Sequence, residues 1–410
     1  MRPIFLIVFL GIMTCLCGCI WVDSAEEPDF LPLDDSEYPY ADLPRVVIET
    51  ENFAQIRDKE TEIPAKMQIW GKNAPESDVM NLTVRGRGNS SFNMPKFGFK
   101  LELEKKTAIL GMPKDKDWIL VANFRDKTQI KNTISFLLAK KLGAKHSIRN
   151  QYVEVFLNRE YMGLFLITES IKVDKNRIKI SDNDFLIEKT TTTTRDHPYF
   201  ISEKNNLFEI RYPSPPNITL AEIDSLKEKT NAFEKKLYSN QFNGNYLDSI
   251  LDVNSFIIYY WVQEFSRNLD GKFQRSVFIE CTHDGFMRMG PVWDFDLSYG
   301  IGMVGETTKP SGWEIKKSGW FKYLWQNEIF SKKAVDFWEE NKGVFAKMPE
   351  YADSISLFIQ KAVLNDNKRW PVLQTDDNLY HEVKFEDYTE AIDSLKEWMN
   401  QRLNWISHNI

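Results

Sequence analysis

The chain has 410 residues, 42% hydrophobic and 13% aromatic, with a formal charge of −7 and a pI near 5.5. That is enough apolar material for one large two-lobed unit or two domains. The acidic balance and the lack of a long basic run argue against a nucleic-acid partner.

The first residues read MRPIFLIVFLGIMTCLCGCIW, with Arg2 ahead of an apolar run from Ile4 to Met13. The run is too short and too terminal for a membrane-spanning helix and reads as an export segment. Leu16 to Cys19 spell LCGC, similar to a bacterial lipobox, with small Gly18 before Cys19. The likeness implies removal of residues 1–18 and a lipid on Cys19. That places the chain in a bacterial cell envelope, at the outer membrane or cell surface, touching the membrane only through its anchor. An ordinary signal peptide is the alternative, and Cys15 is a second lipidation candidate. Cys281 is then the single free thiol of the mature chain, so neither a disulfide framework nor a zinc cluster is expected. Residues 19–44 are acidic and proline-rich without periodicity, which reads as a flexible tether. The alternative is an ordered strap docked through Phe30, Leu31 and Tyr38.

Residues 45–215 form a strand-rich N-lobe. RVVIET (45–50), AKMQIW (65–70), VMNLTVR (79–85) and FGFKLEL (97–103) are short and rich in β-branched or aromatic residues. YVEVFLN and YMGLFLITE flank a tight hairpin at Asn158. One helix interrupts the strands, from Asp126 as N-cap to Leu142, ended by Gly143. The segment 189–206, KTTTTTRDHPYFISEKNN, reads as a loop. Residues 216–410 form a helical C-lobe, with a buried helix over 252–265, one or two helices over 319–345 and an amphipathic helix at the C-terminus. No internal repeat is present.

Within the C-lobe, residues 268–300 carry the chemistry. Asp294 and Asp296 stand two apart in GPVWDFDLSYG, an otherwise apolar stretch where a carboxylate needs a partner or a cation. Asp284-Gly285 is a two-residue hairpin signal, which sets Arg275 opposite Asp294 and Phe273 opposite Asp296. Such a hairpin returns the chain to Asp270, gathering three carboxylates at one end of a ribbon. One carboxylate that takes an acceptor proton and another that holds a hard cation on phosphates is a phosphoryl-transfer layout. Oxygen ligands without neighbouring His or Cys favour magnesium, manganese or calcium. The alternative is a turn-capping Asp270 and a structural Asp294–Arg275 pair. In the N-lobe, Gly86 and Gly88 flank Arg87 after a strand, and a glycine turn there offers N–H groups to phosphate. Lys96 and Lys100 share a strand face, and Glu169 closes an apolar strand.

Five segments occur in order: RGRGNSS…MPKFGFKLEL, LGMPKDKDWILVANFRDKTQIKNTISFLLAKKLG, YVEVFLNREYMGLFLITESIKVDKNRI, NLDGKF and MGPVWDFDLSYG. Together they resemble the CotH kinase family of spore coat protein H-like atypical kinases, in particular its Bacteroides-type lipoprotein members. The resemblance implies an α+β, divergent two-lobed protein-kinase-like fold. It also implies transfer of the ATP γ-phosphoryl group to protein Ser/Thr hydroxyls with a divalent metal. By motif, Asp270 is implied as the catalytic aspartate and Asp294 as the metal ligand, with Asp296 assisting. Lys96 or Lys100, with Arg87 and Glu169, are implied on the nucleotide side. The residues after Asp270 read GKFQRS, where a kinase-like site has an asparagine. A non-catalytic surface scaffold binding protein or glycan is the alternative, and a sugar-nucleotide transferase is a third.

Overall fold

The computed structural model describes residues 30–31, 33–194, 197–239, 244–302, 305–376 and 383–410. The expected signal segment, Cys19 and the first part of the expected tether lie outside the described residues. From Pro32 to Ile410 the chain is one compact unit. No helix among the described residues is long and apolar enough to cross a membrane.

Seven strands make a closed barrel: β1 (Arg45–Thr50), β2 (Ile63–Trp70), β3 (Met80–Arg87), β4 (Gly98–Ile109), β5 (Met112–Val121), β6 (Asn150–Leu157) and β7 (Glu160–Glu169). Their order is β1-β2-β3-β4-β5-β7-β6, closed by parallel pairing of β1 with β6 that sets Arg45 opposite Glu154. Alternate residues fill the interior, as the two-residue period requires: Val46 and Ile48, Leu82 and Val84, Phe99, Leu101 and Leu103, Val153 and Val155. Asn158 and Arg159 turn β6 into β7, both with positive φ, as a two-residue hairpin demands.

The inserted helix α1 (Lys131–Lys141) begins five residues after the expected start. Asp126 does not cap it directly. It closes the preceding turn, accepting from Thr128 N (2.9 Å) and, through its second oxygen, from Lys131 N (2.8 Å). Gln129 in that turn has φ 61°, which no helix continues through. The buried side chains of α1, including Ile134, Phe136 and Leu138, face the second core and not the barrel interior.

That second core spans the expected lobe boundary at residue 215. Strands β8 (Phe185–Thr190), β9 (Tyr199–Ile201) and β10 (Leu207–Tyr212) share one sheet with β11 (Val277–Cys281) and β12 (Met287–Met289), in the order β12-β11-β8-β10-β9. The helices α2 (Leu220–Tyr238), α3 (Val253–Ser266), α4 (Gly305–Thr308), α5 (Gly319–Leu324), α6 (Glu328–Ala346), α7 (Met348–Arg369) and α8 (Tyr388–Asn409) complete this half. Asp252 caps α3 by accepting from Ser255 N, and Thr219 with Glu222 forms a capping box on α2. The strand-rich and helical halves are both present, and the strand-rich half closes on itself.

The acidic stretch expected as a tether is docked from Asp35 onward, as in the strap alternative. Asp35 pairs with buried Arg45 at 2.6 Å, and Tyr38 stacks on Tyr161 with centroids 4.2 Å apart. Helix α7 holds the rest: Lys361 meets Asp42 at 2.5 Å, and Asn365 donates to Pro39 O at 2.7 Å.

Candidate active site

The site is built where α3 ends. Arg267 takes a left-handed conformation (φ 47°) and stops the helix. Its guanidinium is fixed by the carbonyls of Glu306, Lys309 and Ser311. The next residue, Asn268, joins two strands of chain: its Nδ2 donates to Asp294 O at 2.7 Å, and its Oδ1 accepts from Asp270 N at 3.2 Å. Leu269 N and Tyr299 N add backbone bonds to Leu297 O and Ser266 O. Asp270 and Asp294 are thus set side by side by one amide and a short ladder.

The register of the 277–289 hairpin differs from expectation by one residue. Ile279 faces Met289 and Cys281 faces Met287, because the loop has three residues and not two. Gly285 N bonds Thr282 O, and Gly285 has φ 90°, the pattern of a turn followed by a left-handed residue. Strand pairing ends at Met289, so Arg275 does not face Asp294 in a ladder. Instead Ser276 Oγ donates to Asp294 Oδ2 at 3.3 Å, and Arg275 Nε donates to Thr191 Oγ1 at 2.6 Å. Phe273, Ser276 and Asp294 all have positive φ. Asp294, at 63°, is a non-glycine residue held in a sparsely populated region, as active sites often require.

Helix α1 grips the other side of the acid loop. Asn132, almost fully buried, accepts from Phe295 N (3.1 Å) and donates to Asp296 Oδ1 (3.3 Å) and Asn123 Oδ1 (3.0 Å). Phe136 stacks on Trp293 at 5.7 Å, and Lys131 Nζ donates to Ser298 O at 3.0 Å. Asn132 was invisible to sequence reasoning, because nothing local marks a helix residue as reaching a loop 160 or more positions away.

The three carboxylates repel one another. Burial first, and then the Asp294 charge, pushes Asp270 up to about 6. Burial, then Asp294 and Asp126, pushes Asp296 up to about 7. Burial raises Asp294 too, opposed mainly by Arg87. Arg87, Arg275 and Lys272 offset this only in part, since the carboxyls stay raised. No three His, Cys, Asp or Glu side chains among the described residues form a ready-made metal cage. The donors fit a cation held by one or two carboxylates and completed by substrate phosphate, the usual magnesium arrangement.

Arg87, at the end of β3, is the cation opposite. Its guanidinium lies 5.0 Å over the Trp293 ring, and the carboxylates that act on it most strongly are Asp294 and Glu188. Among the described residues it makes no hydrogen bond and no ion pair. Its N–H donors therefore have no protein acceptor among the described residues. Glu188 on β8 and Glu209 on β10 both bind Arg211, at 2.5 and 3.0 Å. This neighbouring group was not anticipated either, since it is assembled by pairing of β8 with β10.

The other expected nucleotide-side residues are engaged elsewhere. Lys96 is buried and bound to Asp366 of α7 at 2.7 Å and to Leu164 O at 2.6 Å. Lys100 pairs with Glu102 (3.2 Å) and Asp117 (3.7 Å) on the barrel wall. Glu169 is saturated by Arg149 and Arg177, each at 2.6 Å. None of the three shares a partner with the acids. Two surface depressions, about 200 Å³ beside Glu222 and His283 and about 510 Å³ beside Phe286 and Phe337, include none of the acids either.

The chain matches the family described as CotH kinase protein over residues 84–406, and it belongs to that family. That span contains Arg87, Asn132, Asp270, Asp294 and Asp296, and it excludes the strap. Among curated proteins none matches the chain. Membership suggests a kinase-like function for the chain.

Proposed function

We propose that the protein is a metal-dependent kinase that transfers the ATP γ-phosphoryl group to Ser/Thr hydroxyls of protein. The observation that carries the reading is the guanidinium of Arg87, without hydrogen bond or ion pair among the described residues, beside the mutually repelling carboxylates that include Asp294 and Asp296. A nucleotide phosphate chain with magnesium, manganese or calcium satisfies both sides at once. Asp294, with Asp296 beside it, would hold the metal, which would supply neutralisation of phosphate charge. Arg87 contacts phosphate oxygens, the role first assigned to Lys96 or Lys100. Asp270 takes the acceptor proton, and its raised affinity for protons suits a base working near neutrality. Asn268 and Asn132 fix the acids, a placement that matters because phosphoryl transfer rests on positioning. The two-lobed kinase-like arrangement, with the barrel as nucleotide-side lobe, and the lipid anchor on Cys19 in the bacterial envelope complete the reading.

One observation favours a second reading. Lys96 and Lys100 are bound to Asp366, Glu102 and Asp117 and not to the acids, which suits a non-catalytic surface scaffold binding protein or glycan. Phosphate transfer from labelled ATP to a Ser-rich acceptor separates the two. The kinase reading expects transfer by the wild type and a loss of at least a hundredfold in Asp270→Asn and Asp294→Asn. Equal signal in all three proteins, or none in any, rejects it.

A further inference from the structure

A run of hydroxyls belonging to the protein itself is tied to the arginine beside the proposed base. Residues 190–194 are five threonines in a row, at the exit of β8. Thr190 is buried and closes the turn, bonding Thr192 O at 3.1 Å through its hydroxyl. At the far end Thr194 N is bound by Glu209. Thr191 stands between these two fixings, and Thr191–Thr194 are all exposed.

Thr191 Oγ1 accepts from Arg275 Nε at 2.6 Å. Arg275 in turn donates its backbone N–H to Asp270 O at 3.1 Å, and its charge acts on both Asp270 and Asp294. One arginine therefore links this threonine to the proposed base and the proposed metal ligand. Of the other hydroxyls of this corner, Ser276 donates to Asp294 itself, on the metal side, and the buried Tyr259 hydroxyl donates to Gly271 O. The threonine run carries no carboxylate, so nothing on it repels an incoming phosphate chain. Thr192 and Thr193 offer two further exposed hydroxyls that bind no other side chain among the described residues.

We infer that the threonine run 190–194, with Thr191 foremost, is a phosphoacceptor modified by its own chain's active site. This rests on the kinase reading above. In the step, Thr191 Oγ forms a bond to the γ-phosphorus of ATP. The bond from that phosphorus to the β,γ-bridging oxygen breaks, ADP leaves, and the hydroxyl proton passes to Asp270. The product places a dianionic group against Arg275, where guanidinium–phosphate bonding holds it. A phosphorylated loop is then fastened at the rim of the site, next to Arg211 and Glu209.

The test uses the full chain with γ-labelled ATP and magnesium, a Ser-rich acceptor peptide in a parallel arm, and phosphosite mapping by mass spectrometry. The expected result is phosphate on the peptide carrying Thr191–Thr194. The labelled fraction per unit time should stay unchanged over a tenfold dilution of protein. Self-labelling should fall at least fivefold in Thr191→Val and vanish in Asp270→Asn. Labelling of the acceptor peptide with an unmodified threonine run overturns the inference and leaves the kinase reading intact. Self-label confined to other sites, or a rate rising in proportion to protein concentration, overturns it likewise. No transfer to either the peptide or the run overturns both.

Discussion

Lys96 is the residue on which a motif reading and the packing disagree most directly, and Lys96→Met decides between them. Its ammonium and the Asp366 carboxylate are 2.7 Å apart, with side chains 0% and 2% exposed. Removing the ammonium leaves Asp366 with only neutral donors, Leu164 N at 2.8 Å and Gln129 Nε2 at 3.0 Å. Breaking a buried pair from one side costs about 3–5 kcal/mol. The double variant Lys96→Met/Asp366→Asn keeps an acceptor for Leu164 N and removes the stranded charge. It should therefore recover to within about 1–2 kcal/mol of wild type. Denaturant midpoints measure the three proteins, and magnesium-ATP affinity is read on each folded form. The expected pattern is a large stability loss, rescue by the second substitution, and affinity within about twofold of wild type in the rescued protein. A Lys96→Met protein as stable as wild type but tenfold weaker for ATP would refute the structural assignment and return Lys96 to the nucleotide.

The same latch makes Gly163 irreplaceable. It has φ 113°, and a Cβ there would lie 2.2 Å from Asp366 Oδ1. Gly163→Ala should cost about 3 kcal/mol or more, against about 1 kcal/mol for Gly143→Ala, where φ is 86° and nothing lies within 4 Å. Equal midpoints for the two variants would contradict the latch. The acid cluster predicts a pH dependence. Asp270 and Asp296 titrate near 6 and 7 in the fold, above the ordinary 3.8 of an unfolded aspartate. The native state therefore keeps protons that the unfolded chain has released. Their stabilisation is complete below about pH 4 and is lost as pH rises through 6 to 7. Denaturant midpoints of Asp270→Asn and Asp296→Asn should fall less steeply over that window than wild type. An unchanged slope would mean the carboxyls are not raised.

What the sequence made legible was local. The barrel strands other than β5 announced themselves through β-branched and aromatic content, α3 through Asp252 and its apolar run, and the acids through their apolar surroundings. Helix α7 was not anticipated, and its Asp366 captures Lys96. A two-residue turn reading of Asp284-Gly285 missed that Gly285 serves as the third loop residue, which shifts the register by one. The partners that complete the site come from elements distant in sequence: Asn132 from α1, Glu188 and Arg211 from a strand pair, Thr191 from a featureless loop. Hydrogen-bond capacity at such a site depends on tertiary placement, and no local pattern encodes it. Arg87 and Lys96 illustrate the point, since both are cations of the same lobe and only the packing tells which one is left open.

The central claim is that Arg87 and the three acids hold a nucleotide phosphate chain together with a divalent cation. Calorimetric titration of ATP into the full chain, with and without magnesium, reads it directly. The account predicts saturable binding with magnesium, weakened at least tenfold, or about 1.4 kcal/mol, by omitting the metal, by Asp294→Asn or by Arg87→Met. No binding at millimolar ATP, or equal affinity under all four conditions, would contradict it.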